Sequence, residues 1–310
     1  MQRNYIIRNY RPQDFSAYVR LNMNFSKSDA VKRTDSLEAL SQMLDKPGYR
    51  AVNELFIAEA DGAIVGCANV TPELGIGRVI IDYLVHPAYC TGSMPGELIN
   101  CALERAKHLG AEVAHMNISS AELSTIVLLS NLGFHEVRCF HELRLDFSKV
   151  DLINNIEQLS SGYRHLEHGE EEKLAEIQDC CFSGTWGYDP ETARHITWWL
   201  NFRRSCLDDV IFAVEEGKVF GYCWAGTSCG YDLSTGKSRG RIYMLGVDPK
   251  YRGRGIGRKL LLAGLSYLKS KGRELIDITV DSQNIEAVAL YRSVGFQLSE
   301  NTLWYEKVID

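Results

Sequence analysis

The stretch YRGRGIGRKL, residues 251–260, places alternating glycines and basic side chains directly before a helical pattern. Glycine accepts positive φ and lets the backbone approach a ligand closely, and a helix N-terminus offers unpaired N–H groups to an anion. The glycines are Gly253, Gly255 and Gly257, and the cations are Arg252, Arg254, Arg258 and Lys259. By itself the stretch fits either a diphosphate site or a flexible basic turn that caps the helix.

Two familiar phosphate loops do not fit this stretch. A Walker loop continues with Gly-Lys-Ser/Thr, whereas Gly257 is followed by Arg258 and Lys259. A dinucleotide fingerprint places its first glycine at the end of a strand, whereas residues 248–252 intervene after Val247. A diphosphate bound here must therefore be held by another kind of loop.

The elements that must position this loop occur twice along the chain. Residues 79–134 align without a gap on the second half at an offset of 162, and residues 55–70 match 210–225 at an offset of 155. A repeat of this length indicates two whole domains of one fold. We predict domains over residues 1–148 and 163–310, joined by a linker at 149–162.

Each repeat shows hairpin signals first and a β-α-β unit later. An amphipathic helix precedes two strands that are joined by Asp61-Gly62 in the first repeat and Glu216-Gly217 in the second, which are tight-turn pairs. A third strand, a loop, a long helix, a strand, a short helix and a last strand follow. This order predicts an α/β fold of the α+β type with a mixed sheet, not a doubly wound fold.

The bulk composition excludes several kinds of partner. The 34 basic and 40 acidic residues leave a net charge of −6, so we expect neither a nucleic-acid partner nor an anionic membrane surface. No apolar run has the length of a signal peptide or a membrane span. Nine cysteines without a C-x-x-C pair predict reduced, mostly buried thiols and a cytoplasmic protein. The histidines lack ligand spacing, so no metal is predicted, and no motif indicates the oligomeric state.

A second motif follows the glycine loop at residues 284–296, NIEAVALYRSVGF. Together the two resemble the GNAT superfamily of N-acetyltransferases, whose acetyl-CoA loop is Arg/Gln-x-x-Gly-x-Gly/Ala, followed one strand later by Asn-x-x-Ala-x-x-Leu-Tyr-x-x-x-Gly-Phe. The matching residues are Arg252, Gly255, Gly257, Asn284, Ala287, Leu290, Tyr291, Gly295 and Phe296. The resemblance covers about residues 163–310, and the degenerate first copy extends the tandem fold to the whole chain.

The resemblance implies acetyl-CoA as the co-substrate. The loop and helix start would bind the diphosphate through backbone N–H groups. The strand before the loop would splay from its neighbour near Gly246, since a glycine in a strand often marks a bulge, and its edge would pair with the pantetheine amides. The implied contacts are Leu245, Gly246, Val247, Arg252, Gly253, Arg254, Gly255, Ile256, Gly257, Arg258 and Asn284.

The resemblance also implies direct attack of a primary amine on the thioester. Tyr291 would protonate the departing thiolate, because a phenol with a pKa near 10 is reasonably matched to a thiol near 8.5. Asn284 either orients the pantetheine or caps its helix. Some relatives place a glutamate on the strand before the loop, but RIYMLGV has no acid. The base therefore stays open among Tyr243 acting through water, Asp232 and Asp281.

The acceptor would lie near the aromatic segment at residues 180–202. Core packing explains most such stripes, so the glycine-containing turn is favoured for amine contact, including cation–π contact. The predicted acceptor contacts are Trp186, Tyr188 and Tyr243. The leading hypothesis is N-acetylation of a small-molecule amine; the alternatives are a non-catalytic acyl-CoA sensor or scaffold and a peptide or protein N-terminal acetyltransferase.

The first repeat has lost this chemistry. At the 162-residue offset, Arg252 becomes Cys90, Gly255 becomes Ser93, Gly257 becomes Pro95, Lys259 becomes Glu97, Asn284 becomes Glu122 and Tyr291 becomes Leu129. Proline removes an N–H group, and a glutamate repels phosphate. We predict a GNAT-like domain without turnover, an asymmetric tandem that resembles the mycothiol synthase family in layout, in which the C-terminal half acetylates.

Overall fold

A computed structural model describes residues 4–25, 37–150, 162–203, 205–227, 230–232 and 234–310. The chain forms two compact units, one of residues up to Arg138 with Leu303–Asp310 and the other of Cys139–Thr302. These units do not coincide with the predicted domains 1–148 and 163–310, because each unit is completed by a strand from the other repeat. The predicted linker at 149–162 lies mostly outside the described residues, at 151–161.

The first unit is built largely from the first repeat. Its elements are β1 (Ile6–Asn9), α1 (Phe15–Phe25), α2 (Leu37–Leu44), α3 (Ala51–Glu54), β2 (Leu55–Ala60), β3 (Ala63–Glu73), β4 (Arg78–Val85), α4 (Met94–Leu109), β5 (Val113–Ser119), α5 (Leu123–Asn131) and the start of β6 (His135–Asp146). The sheet follows the order β1 to β5 and is completed by the last residues of the chain, where Ile309 donates its N–H to the Glu112 carbonyl over 2.9 Å.

The second unit repeats this plan. Its elements are β7 (Tyr163–His165), α6 (Glu171–Phe182), α7 (Ala193–Phe202), β8 (Val210–Glu215), β9 (Lys218–Gly226), β10 (Arg239–Val247), α8 (Ile256–Ser270), β11 (Leu275–Asp281), α9 (Ile285–Val294) and the start of β12 (Gln297–Val308). The strands run in the order β6-β11-β10-β9-β8-β7. Only the β10–β11 pair among them is parallel, so the predicted mixed sheet is confirmed.

Local turn chemistry fixes the hairpin at the start of each sheet. The predicted turn residues Asp61 and Gly62 have φ of 50° and 75°, and Glu216 and Gly217 have φ of 49° and 80°. Positive φ at both central residues is the type I′ geometry that matches the twist of antiparallel strands. Both predicted hairpins are therefore present.

The sheet of the second unit has a different layer on each face. Leucines of α8 at 260, 261, 265 and 268 are fully buried against one face. Gly264 lets α8 come close, because a Cβ there would lie 2.6 Å from Cys223 Sγ. On the other face, α6 and α7 pack with Tyr222 and Trp224 of β9. The motif loop at the start of α8 is thus anchored by an apolar core.

A salt bridge that was not foreseen precedes the first helix of both units. Arg8 donates to Asp14 over 2.7 Å, and Arg164 donates to Glu170 over 2.6 Å. Each acid also accepts the backbone N–H three residues before it, from Arg11 and Glu167 respectively. The same device therefore fixes the chain's entry into α1 and α6.

Two expectations concern the whole chain. Eight of the nine cysteines lie among the described residues, all of them as free thiols, but only Cys67, Cys181 and Cys223 are buried. The expectation of mostly buried thiols is therefore wrong. Among the described residues, no helix is both long and apolar enough to cross a membrane.

Candidate active site

The predicted opening of the sheet lies next to the glycine loop. Parallel pairing of β10 with β11 runs from Arg239–Leu275 to Ile242–Ile278 and goes no further, while β10 stays paired with β9 as far as Val247. The β10 edge at residues 243–247 is therefore available to an extended ligand. This geometry is compatible with pairing to the pantetheine amides.

The bulge that accompanies this opening is not at Gly246, where the sequence placed it. The register of β10 against β9 shifts between Ile242 and Met244, so Tyr243 and Met244 both pack with α6 and α7, whereas Leu245 and Val247 return to the core under α8. Gly246 has a packing role instead, because a Cβ there would lie 2.8 Å from Cys181 Cβ of α6.

The loop that follows β10 is held by its own polar groups. Asp248 accepts the Lys250 N–H over 2.9 Å. The Arg252 guanidinium donates to the carbonyls of Val247 (3.1 Å) and Cys181 (2.9 Å). Arg252 therefore ties the loop to β10 and α6, a reason for an arginine at this position that does not involve phosphate.

The glycines leave a backbone cradle at the start of α8. Gly253 and Gly255 have φ of 77° and 76°, which L-residues rarely adopt. Gly257 is different, because a Cβ there would meet only Leu290 and Val247, both at an ordinary 3.8 Å. Neither φ nor packing requires glycine at 257, and the small residue leaves room for a ligand.

The backbone N–H groups of residues 253–258 have no hydrogen-bond acceptor among the described residues. They surround the N-terminus of a 15-residue helix, where the dipole favours an anion. Arg254 lies over the Tyr251 ring at 5.2 Å, and Arg258 donates to Ser293 Oγ over 2.7 Å. The donors and charges fit a diphosphate.

The second motif forms α9, beside the cradle. Asn284 is the N-cap of this helix, and its Oδ1 accepts the Ala287 N–H over 3.1 Å, so the capping alternative describes its side chain. Tyr291 is 6% exposed and packs with Phe296. Burial raises the pKa of the Tyr291 phenol well above its ordinary value.

Two candidates for the base, Asp232 and Asp281, already accept hydrogen bonds within the protein. Asp232 Oδ1 accepts hydrogen bonds from Ser234 and Thr235, while its Oδ2 accepts one from Arg144. These partners hold the pKa of Asp232 below its ordinary value, which makes it a poor proton acceptor. Asp281 accepts the Gln283 N–H over 2.9 Å in the turn after β11.

The three predicted acceptor residues make different ring contacts. Trp186 packs with Phe140 at 5.9 Å and Tyr188 with Phe182 at 5.9 Å, whereas Tyr243 belongs to an aromatic cluster around Arg203. The guanidinium carbon of Arg203 lies 4.1, 4.4 and 4.7 Å from the ring centres of Tyr243, Trp199 and Trp224. The cation–π contact expected for a ligand amine is thus made by a side chain of the protein.

Sequence reasoning missed four polar residues beside this cluster, namely Gln178, Glu191, Arg203 and Tyr222. Glu191 Oε2 accepts a hydrogen bond from Gln178 over 3.2 Å, and its Oε1 accepts one from Trp199 Nε1. The one available signal was the four-residue spacing of Trp199 and Arg203, which puts them on one face of a helix turn. Glu191 had no signal, because it stands between α6 and α7, and its partners Gln178 and Trp199 lie 13 and 8 residues away without a regular spacing.

The corresponding loop of the first unit lacks the cradle. Ser93 has φ of −75° and binds the Tyr5 hydroxyl over 2.8 Å. Pro95 and Glu97 occupy the first turn of α4, and the buried Leu129 stands where the second unit has Tyr291. Pro95 has no N–H group, Gly92 donates its N–H to the Tyr89 carbonyl over 3.3 Å, and the loop has no basic side chain.

Comparison with known proteins assigns the second repeat. Residues 171–296 match the acetyltransferase (GNAT) family. The second repeat is a GNAT-family domain. The predicted family and the predicted N-acetyltransferase class are both confirmed. Among the described residues, no group of three or more His, Cys, Asp or Glu side chains could hold a metal ion.

Two relatives of this chain are mycothiol acetyltransferases. The mycothiol acetyltransferase of Amycolatopsis mediterranei is 28% identical over 286 residues, which cover 89% of this chain and 91% of that protein. The mycothiol acetyltransferase of Thermobifida fusca is 40% identical over 94 residues, 30% of this chain and 29% of that protein.

Solved structures confirm the tandem GNAT fold. A GCN5-related N-acetyltransferase from Sphaerobacter thermophilus superposes with a TM-score of 0.71 at 23% identity, covering 98% of this chain and 96% of that one. A tandem GNAT protein from the clavulanic acid biosynthesis pathway reaches 0.74 at 14% identity over 99% of both chains. At these identities the likeness shows the fold alone.

Proposed function

We propose that the second unit transfers the acetyl group of acetyl-CoA to the primary amine of a small molecule. The observation that carries this proposal is the cradle at residues 253–258, where six consecutive N–H groups lack acceptors beside an open strand edge. The absence of a side chain at Gly257 adds room that the protein itself does not use. The names of the full-length relatives support an amine acceptor but do not identify it.

Each part of the site has one task in this reaction. Acetyl-CoA supplies a thioester whose carbonyl carbon the amine attacks, so that a C–N bond forms while the C–S bond breaks. The cradle holds the diphosphate, and the β10 edge holds the pantetheine. Tyr291 donates its phenolic proton to the leaving sulfur, and the proton lost by the amine passes to solvent or to a carboxylate.

The pKa match expected from ordinary values needs correction. Burial raises the pKa of the Tyr291 phenol, so the phenol remains protonated at neutral pH. Burial acts on thiols in the same direction and raises the pKa of Cys223, in the same core, to about 12. A thiolate expelled into these surroundings is a stronger base than in water, so proton transfer from Tyr291 stays feasible.

The first unit is proposed to have no turnover of its own. The Tyr5 hydroxyl is hydrogen-bonded to the Ser93 hydroxyl, and Glu97 lies in the first turn of the helix, where a diphosphate would bind. This unit therefore supports the fold without a second acetyl-CoA site of the same kind.

The proposal is tested by incubating the full chain with acetyl-CoA and a panel of amines. Thiol release and the mass of each product are measured. A product heavier by one acetyl group, formed together with stoichiometric thiol, supports the proposal. Saturable CoA binding without thiol release from any amine would instead support an acyl-CoA sensor.

A further inference from the structure

Two buried polar atoms beside the open strand, Gln178 Oε1 and Tyr222 Oη, have no hydrogen-bond partner among the described residues. The Tyr188 hydroxyl lies next to them and interacts with the Gln178 side chain. Gln178 is 4% exposed and Tyr222 is fully buried. A buried polar group without a partner is costly, and each such group calls for an explanation. Two of them next to the carboxylate that Gln178 binds indicate a site that receives a polar ligand.

The carboxylate at the centre of this group is Glu191. Its charge acts on the pKa of Tyr188, Tyr222 and Arg203, so these three side chains lie within electrostatic range of it. Each Glu191 oxygen accepts one hydrogen bond, from Gln178 or Trp199. A carboxylate oxygen accepts two, so Glu191 is fixed in place and keeps capacity for a further donor.

Arg203 provides the opposite charge. Its guanidinium lies among the rings of Trp199, Trp224 and Tyr243 and forms no ion pair among the described residues. Desolvation lowers its pKa, a cost that an anionic partner would offset. The planar guanidinium suits a carboxylate, which it can bind through two parallel hydrogen bonds.

Glu191 and Arg203 contact the same indole. Glu191 accepts its N–H, and Arg203 lies 4.4 Å from the centre of its ring. The two charges are therefore close, yet they do not form an ion pair with each other.

We propose that the acceptor is a zwitterion of the amino-acid type, whose carboxylate binds Arg203 and whose ammonium binds Glu191. The phenols of Tyr188 and Tyr222 and the Gln178 carbonyl complete its polar contacts. Tyr243, at the bulge of β10, places this site beside the strand opening. The inference rests on the proposed function and adds the chemical class of the acceptor.

The test compares substrates that differ in one group. The full chain is given three compounds with the same side chain: an α-amino acid, its carboxamide and the amine that lacks the carboxylate. This set is prepared for L-leucine, L-lysine and L-phenylalanine. The amino acid is expected to have the highest kcat/KM. In Arg203→Met the ratio of kcat/KM between the acid and the amide should fall about 10- to 100-fold. Comparing this ratio between variants cancels differences in amine pKa among the compounds.

Two further variants separate recognition from folding. Arg203→Lys keeps the positive charge and should restore part of the ratio. Glu191→Gln should lower kcat/KM for all three compounds by a similar factor, because the ammonium is common to them. The matched controls, Arg194→Met on α7 and Glu176→Gln on α6, change exposed residues and should leave every kcat/KM unchanged.

The outcomes distinguish the two proposals. Turnover of amines with no preference for the carboxylate, or a preference that Arg203→Met leaves intact, overturns the zwitterion and keeps the acetyltransferase. No product from any compound overturns the proposed function. Calorimetry of amino-acid binding then decides the inference: binding that Arg203→Met abolishes supports it, and absence of binding overturns it.

Discussion

Tyr291 places one hydroxyl at the end of a buried ring, so its removal is a clean test at the scale of a single residue. In Tyr291→Phe the ring keeps its packing with Phe296 while the proton donor is lost. We expect kcat to fall about 10²- to 10⁴-fold, with the Kd for acetyl-CoA and the Tm nearly unchanged. Steady-state thiol release, calorimetry and thermal unfolding measure these three quantities.

A tyrosine far from the core provides the control. Tyr231 is 68% exposed, and Tyr231→Phe should keep the full kcat. Wild-type turnover in Tyr291→Phe would remove this residue from the reaction and point to water as the proton donor.

Residues that belong to a contiguous motif were predictable, and those that meet through folding were not. Gly255 and Tyr291 stand in segments whose spacing carries the information. The position of Arg203 in the candidate site depends on its contact with Tyr243, which is 40 positions away in sequence. Gly246 was misjudged for the same reason, because the residue that excludes a side chain there is Cys181 of α6.

At the scale of elements, the turn into α8 combines a backbone requirement with an electrostatic one. Gly255 has φ of 76°, a conformation that Asn and Asp tolerate better than other L-residues, and a Cβ there would meet nothing within 4 Å. Gly255→Asn and Gly255→Asp therefore strain the loop alike but differ in charge. We expect Asp to weaken acetyl-CoA binding at least tenfold more than Asn, measured as Kd by calorimetry.

The equivalent loop of the first unit is the control for this pair. Ser93→Asp adds the same charge at the corresponding position and should leave kcat/KM and the Kd for acetyl-CoA unchanged. Equal losses from Ser93→Asp and Gly255→Asp would show that both units take part in binding the co-substrate.

The entry into α6 gives a prediction about stability and pH. Hydrogen bonds from Arg164 lower the pKa of Glu170 from 4.5 to about 2. A carboxyl group whose pKa is lower in the folded state stabilises the fold at any pH above its unfolded-state pKa. This stability is lost as the pH falls through the folded-state pKa. Glu170→Gln should therefore lower the free energy of unfolding by about 2 kcal/mol at pH 7.

Urea unfolding at several pH values measures this effect. The difference between Glu170→Gln and the wild type should shrink between pH 4.5 and pH 2. The exposed Glu176→Gln on the same helix should show no difference at any pH. A difference that stays constant across this range would mean that packing, and not the charge, stabilises the helix start.

Elements were predictable where local chemistry decides them. The pairs Asp61-Gly62 and Glu216-Gly217 specify their turns within two residues, and both hairpins formed. The bulge at Tyr243 was not predictable from the strand, because the large ring is accommodated by Gly226 on β9, where a Cβ would lie 2.1 Å from it. Strand partners in general depend on contacts that no local pattern encodes.

At the scale of the whole molecule, the repeat could be predicted from the sequence. The unit to which the last strand of each repeat belongs could not. Residues 140–146 of the first repeat pair with β11, and Arg144 on this strand binds both Asp277 and Asp232. Asp277 is 4% exposed, so removing Arg144 would leave a buried carboxylate with Arg239 alone of its two arginines. The second unit thus needs a strand that the predicted boundary assigns to the other domain.

This dependence predicts how the chain behaves when it is divided. The fragment 163–310 contains the whole glycine loop and Tyr291, yet it lacks β6 and so exposes the long edge of β11. We expect this fragment alone to be unfolded and to release no thiol, as measured by circular dichroism and the acetyl-CoA assay. Expressed together with 1–148, which carries β6, it should regain a cooperative unfolding transition and activity. Arg144→Met in the fragment 1–148 should weaken this rescue, because the buried Asp277 loses one partner. Full activity of 163–310 alone would show that the GNAT domain closes its sheet without the exchanged strand.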